Sequence, residues 1–182
     1  MAGVLGTLKT EPALGRPDLL AEPVRRALAT WARGGEVLVA AIDPELADTA
    51  AFCAAYEVSL DASANCVVVA GKREGDVRRA ACLVLATTRA DVNGVVRRRL
   101  DVRKASFEAM AEAVQLTGME YGGITPVGLP AEWPVLVDAR VAATGYVVIG
   151  SGVRHSKLVL PGAAAAELPG AEVVDDLAKP GS

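Results

Sequence analysis

The apolar positions of this chain fall into short runs whose period switches repeatedly between helix and strand. Leu20, Val24, Leu28 and Trp31 recur at helical spacing, which predicts an amphipathic helix over 18–33 that stops at Gly34-Gly35, with Trp31 as a core anchor. Glu36 to Ile42 reads as a short apolar strand. Asp43-Pro44 then opens a helix, a capping carboxylate followed by proline at the first helical position, and Leu46, Ala50 and Cys53 pack along it as far as Tyr56. Ala64 to Ala70 and Ala80 to Thr87 predict two strands, and the polar Gly71 to Arg79 segment between them makes a hairpin. A short helix over 90–100, interrupted by Asn93-Gly94, and a strand over 103–107 come next. Ser106 then caps a helix that runs to Thr117 and stops at Gly118. Further strands are expected at 134–138, 145–150, 156–160 and 171–174, with a short helix over 161–168. Residues 1–17, with Pro12, Pro17 and scattered glycine, read as a loose arm, and 179–182 as a frayed tail.

One stretch fits neither period. Leu116-Thr-Gly118-Met-Glu-Tyr-Gly122-Gly123-Ile124-Thr125-Pro126-Val-Gly128 mixes residues that free the backbone with residues that restrain it. Gly122 and Gly123 allow positive φ, Pro126 fixes its own φ, and Thr125 is pushed towards an extended conformation. A loop so constrained is shaped in advance, and its N–H groups can converge on one point as an anion or oxyanion site. The plainer alternative is a helix C-cap at Gly118 followed by a tight turn. Spacing alone leaves both open.

Composition narrows the classes. A chain of 182 residues is one domain with room for a substantial core. Hydrophobic content is 52%, carried by Ala and Val with only 4% aromatic residues. Apolar runs such as Cys66 to Ala70 and Ala80 to Ala86 are too short to span a bilayer, and Met1 to Leu8 has no signal-peptide pattern. Cys53, Cys66 and Cys82 show no Cys-x-x-Cys spacing, which argues against disulfides or zinc and fits a reducing cytoplasm. With His155 the single histidine, no metal or other cofactor is expected. A net charge of −3 excludes a general nucleic-acid binder, DNA included. Positive charge is local, in Arg97-Arg98-Arg99 with Arg103-Lys104 and in Lys72-Arg73 with Arg78-Arg79; such clusters are either solvated faces or contacts to RNA phosphates.

Nothing here makes a Ser-His-Asp constellation or a phosphate loop of the G-x-x-x-x-G-K type. A hydrolase built from this chain would rely on positioned water and oxyanion stabilisation. The Gly122-Gly-Ile-Thr-Pro126 loop, with Thr117-Gly118 ahead and Gly128 behind, resembles the signature loop of the YbaK/prolyl-tRNA-synthetase-associated (INS) editing-domain family. Trp133-Pro-Val-Leu-Val-Asp138, Tyr146-Val-Val-Ile-Gly150-Ser151-Gly152 and the Arg154 to Leu160 stretch follow in that family's order, so the resemblance spans 43–177 within a domain of 18–178.

The resemblance implies an α/β fold, a single domain with a mixed, strongly curved, barrel-like central sheet surrounded by helices. It implies a trans-acting deacylase that hydrolyses the ester of a small amino acid mischarged on a tRNA of the proline type. Aminoacyl-tRNA is then the partner, with a synthetase as a second one. Carried over by residue, Gly122, Gly123, Ile124, Thr125 and Pro126 bind the ester region, and Asp138 is the acidic residue after the Val-Leu-Val strand; its position where the strand leaves the core leaves a plain cap of the following turn equally open. Gly150, Ser151 and Gly152 line the pocket, and Arg98 belongs to the family's basic segment. Many members carry a lysine where this chain has Asn65, and asparagine supplies hydrogen bonds without charge. Lys72, in the hairpin turn, is not expected to replace it. The alternative is a binding module of the same fold that recognises aminoacyl-tRNA, a nucleotide-like ligand or a synthetase without hydrolysis.

Overall fold

The computed structural model describes residues 5–181. The segment that reads as a loose arm is tied down within those bounds. β1 (Glu11–Pro12) pairs antiparallel with β2 (Leu38–Ala41), and Leu5 and Ala13 are buried. α1 (Glu22–Thr30) is shorter than the apolar spacing predicts, because Pro17–Leu19 forms its own 3-10 turn and Pro23 belongs in the first turn of the α-helix. Val24 and Leu28 still form its buried face. The Asp43 carboxylate caps only a 3-10 turn, accepting from Glu45 N–H at 2.9 Å, and α2 (Thr49–Tyr56) starts afresh after it.

β3 (Ala64–Arg73) and β4 (Asp76–Leu85) make a long hairpin closed by Glu74-Gly75, both at positive φ (51° and 87°). Two such residues match the twist of paired strands, so most of the polar segment expected to be a turn continues the ladder instead. β5 (Thr88–Ala90) follows. Asn93-Gly94 does not interrupt the next helix: the Asp91 carboxylate accepts from Gly94 and Val95 N–H, folding Val92–Val96 as a π-turn that leads into α3 (Arg97–Leu100). Then come β6 (Ala105–Phe107) and α4 (Met110–Thr117), which ends at Gly118 with φ 70°. β7 (Val135–Asp138), α5 (Ala139–Ala142), β8 (Tyr146–Gly150), β9 (Ser156–Pro161), α6 (Gly162–Ala165) and β10 (Ala171–Val174) complete the body. The expected tail is a strand as far as it is described: β11 (Ala178–Pro180) pairs antiparallel with β5.

Two open sheets face each other. One has the order β1-β2-β9-β8, the other β10-β7-β4-β3-β6, with β7 parallel to both of its neighbours. Strand alternation divides the core into layers. Val147, Ile149, Leu158 and Leu160 meet Leu83, Leu85, Val135 and Val137 between the sheets. Val148 and Val159, on the outer face of the first sheet, pack on Phe52 of α2. Cys82, Val84 and Leu136, on the outer face of the second, pack on Val96, Leu100 and Leu177.

The expectation of a strongly curved, barrel-like sheet is corrected here. Among the described residues no sheet closes on itself, and a single parallel bridge, between Ser63 and Val148, joins the two larger sheets. The fold is a mixed α/β domain with separate sheets. Among the described residues no helix is long and apolar enough to cross a membrane.

Candidate functional site

The glycine loop is held by a small set of backbone bonds. Gly123 N–H donates to Glu120 O (2.9 Å), Glu120 N–H to Gly152 O (2.8 Å) and Gly152 N–H to Gly123 O (2.7 Å). This lacing interlocks the loop with the β8–β9 turn at near-contact distance. A Cβ on Gly150 would lie 2.7 Å from the carbonyl oxygens of both Gly123 and Ile124, so only glycine fits there. Gly122 takes the left-handed φ of 78° that the sequence suggested. Arg154 clamps the outside: its backbone N–H donates to Glu120 Oε1, and its guanidinium donates to Tyr121 O and Pro44 O (both 3.1 Å) while lying 5.5 Å from the Tyr121 ring centre. Among the described residues, the N–H groups of Gly122, Ile124 and Thr125 have no acceptor.

Beside this loop is a cavity of about 250 Å³ whose lining includes Asp48, Thr49, Asn65, Cys66, Met110, Gly122, Ile124, Gly150 and Lys157. It forms where the start of α2, the start of β3, the end of β8 and the start of β9 converge. Thr49 Oγ1 donates to Asn65 Oδ1 at 2.6 Å, which orients the carboxamide and leaves its NH2 donors unpartnered among the described residues.

Lys157 is the unexpected member. It is paired across the strands with Gly150 and is only 8% exposed. Its ammonium donates to Ala47 O at 3.0 Å and lies 5.2 Å from the Phe52 ring centre. No carboxylate forms an ion pair with it among the described residues, and burial pulls its pKa below the ordinary lysine value. Among the described residues Asp48 is the one carboxylate in the cavity wall. The Cys66 thiol is raised well above its usual range by burial, and Cys82 behind it is pushed up to about 12, so neither supplies a thiolate near neutral pH.

Of the residues singled out from the sequence, Asn65, Gly122, Ile124 and Gly150 share this cavity. The others do not line it. Gly123 spends its N–H on Glu120 O and is buried under Val153. Thr125 is fully buried, its Oγ1 without a hydrogen-bond partner among the described residues, and Pro126 faces a different hollow. Asp138 is 1% exposed and structural: its carboxylate caps α5 through Arg140 N–H (2.8 Å) and accepts from Ala178 N–H (2.9 Å), docking the C-terminal strand. Ser151 and Ser156 hydroxyls bond one another at 2.6 Å in the interior, and Gly152 is pressed against Ala21 and Val24. Arg98 is exposed on α3, away from the cavity wall. Lys157, Asp48 and Thr49 were not singled out. Lys157 did leave a signal: a lysine in the apolar run Ser156 to Leu160, on the same strand face as buried Val159.

The family model described as the aminoacyl-tRNA editing domain matches residues 43–168. The chain belongs to that family. This editing domain is also similar in fold to the crystal structure of a candidate trans-editing enzyme for prolyl tRNA synthetase, at 22% identity, with 88% of this chain and 97% of that chain covered and a TM-score of 0.74. The crystal structure of a hypothetical protein, APE2540, is similar at 23% identity, covering 87% of this chain and all of that one, with a TM-score of 0.73. No curated protein matches the editing domain.

Proposed function

We propose that the protein is a trans-acting deacylase that hydrolyses the ester of a small amino acid mischarged on tRNA of the proline type. The observation that carries this reading is that Gly122 and Ile124, whose N–H groups have no acceptor among the described residues, line one small cavity together with Asn65 and the buried Lys157. At about 250 Å³ the space is below the ~300–1,000 Å³ of pockets for drug-sized ligands, which suits the end of an aminoacyl ester and not a bulky side chain. Discrimination by size is weak, ~1–3 kcal/mol per methylene, which is why a second hydrolytic sieve is needed for small amino acids.

In this reading the loop N–H groups receive the carbonyl oxygen as it becomes an oxyanion, a contribution of ~3–4 kcal/mol for one well-placed donor. Lys157 supplies from β9 the positive charge that Asn65 lacks, and the low dielectric around it strengthens that effect. Asp48 faces the substrate's α-ammonium. No side chain is asked to be a nucleophile; water, positioned with the help of the neighbouring ribose hydroxyl, attacks the already activated ester. The reaction belongs in the cytoplasm, where charged tRNA and its synthetase are found.

Steady-state hydrolysis of a panel of tRNAs mischarged with small amino acids is the test. Turnover of at least one is expected, with a higher KM when the α-amino group is acetylated, since the charge facing Asp48 is then gone. Tight tRNA binding with no turnover across the panel would replace the enzyme with a binding module of the same fold.

A further inference from the structure

The basic clusters are unequal once their partners are known. Arg73 and Arg78 are committed to Asp101, Arg79 to Glu108 with Glu112 at 4.0 Å, and Arg99 to Glu172. Lys72, Arg103 and Lys104 are exposed and have no carboxylate partner among the described residues. All three line one open groove of about 990 Å³, together with Ala70, Ser106 and Ala109. The acidic residues in its wall, Glu108 and Glu112, are the two that Arg79 already engages. The groove therefore carries net positive charge on a protein whose total is −3.

Its position relative to the candidate site is fixed by two elements. Successive even-numbered residues of β3 share one face of the sheet. On that face Ala64 and Cys66 wall the cavity, while Ala70 and Lys72 wall the groove. At the start of α4, Met110 borders the cavity and its neighbour Ala109 borders the groove. The two hollows thus lie end to end, with Cys66 and Lys72 separated by ~20 Å at strand rise.

We infer that this groove is the track for the phosphates of the single-stranded 3′ end of the tRNA whose ester enters the cavity. The inference takes its ligand from the deacylase reading, but its footing is the unpaired charge beside the cavity. Exposed cations in a groove hold a polynucleotide backbone without reading its sequence, and binding then weakens steeply with salt.

The test compares the triple variant Lys72→Ala, Arg103→Ala, Lys104→Ala with the control Lys9→Ala, Arg25→Ala, Arg26→Ala, which removes equal charge from exposed sites elsewhere. All six residues are exposed, so both variants should keep the wild-type circular dichroism. Binding of uncharged tRNA is measured against salt, and hydrolysis is measured on mischarged tRNA and on an aminoacyl-adenosine ester. The groove variant is expected to bind tRNA at least about tenfold more weakly, with a log–log salt slope flatter by about 2 at ~0.7 per phosphate contact. Both variants should hydrolyse the small ester like wild type, and the control should keep wild-type tRNA binding and salt slope. Equal loss of tRNA binding in both variants, or an unchanged slope in the groove variant, overturns the inference. A wild type that hydrolyses neither substrate, yet loses tRNA through the groove variant alone, would refute the deacylase and uphold the groove.

Discussion

The loop between Gly118 and Gly128 walls two hollows of similar size, about 250 Å³ on the Gly122 and Ile124 side and about 190 Å³ on the Pro126 to Leu129 side. The first gathers Asn65, Asp48 and Lys157. The second gathers Trp31, Trp133, Pro130, Leu168 and Pro169. Proline has no N–H to offer, and the indole of Trp31 spends its own on Glu167 O at 3.2 Å. N–H groups without an acceptor among the described residues occur on both sides, at Gly122 and Ile124 and at Val127 to Leu129, so the two hollows differ in their side chains: polar and charged on one side, apolar on the other. Neither a concave shape nor a free N–H separates the two; the buried cation and the oriented carboxamide of the first do.

Breaking the polar side at its backbone should have the largest effect. Gly150→Ala drives a Cβ into the Gly123 and Ile124 carbonyls, so deacylation should fall by ~100-fold or more, as expected when a reactive geometry is displaced by an ångström. Overpacking should also lower stability by ~1–3 kcal/mol in urea unfolding. Wild-type turnover in this variant would show that the loop geometry is not needed.

Lys157→Met should come next, with ~30–100-fold slower turnover from the lost charge and stability equal to or above wild type, because a desolvated ammonium is replaced by an apolar chain. The pH dependence has a definite sign. Burial holds the folded-state pKa of Lys157 below its unfolded value, so between the two the unfolded chain binds more protons and stability rises with pH. The penalty of burying the charge is complete below the folded pKa and disappears as pH climbs to the ordinary lysine range. Turnover runs the other way, failing as the ammonium deprotonates. Rates corrected for spontaneous ester hydrolysis should therefore decline on an alkaline limb that Lys157→Met lacks.

Asn65→Ala removes one oriented donor and should cost about tenfold, the ~1.4 kcal/mol of a single hydrogen bond. Asn65→Lys should bring no gain, since a second cation beside Lys157 disfavours the charge of both; a rate increase would show that the two positions are not equivalent. On the apolar side, Trp133→Ala should cost ~3–5 kcal/mol of stability and leave kcat/KM of the folded fraction unchanged. A kcat defect there would erase the distinction between the two hollows.

Much of the secondary structure was legible because its causes are local. Apolar runs gave β7, β8, β9 and β10, and Gly118 stops α4 with the left-handed backbone that its residue type permits. The hairpin turn was placed too broadly because Lys72, Arg73, Val77 and Arg78 stay in the ladder while facing solvent, a pairing that polarity does not betray. The β5–β11 ribbon was missed because each strand is three residues long and gains its stability from the other.

The same division holds at the site. By itself the sequence determined where the backbone can turn sharply and most of the longer strands and helices, because glycine, proline and side-chain branching act on the residue that carries them; it left the 118–128 loop open between a shaped site and a plain turn. Only the tertiary structure decided that Asp138 is a cap, that Gly123 N–H is spent within the loop, and that Lys157 stands beside Asn65. Those outcomes depend on which segments pack together, and a buried charge or a satisfied amide is a property of its surroundings.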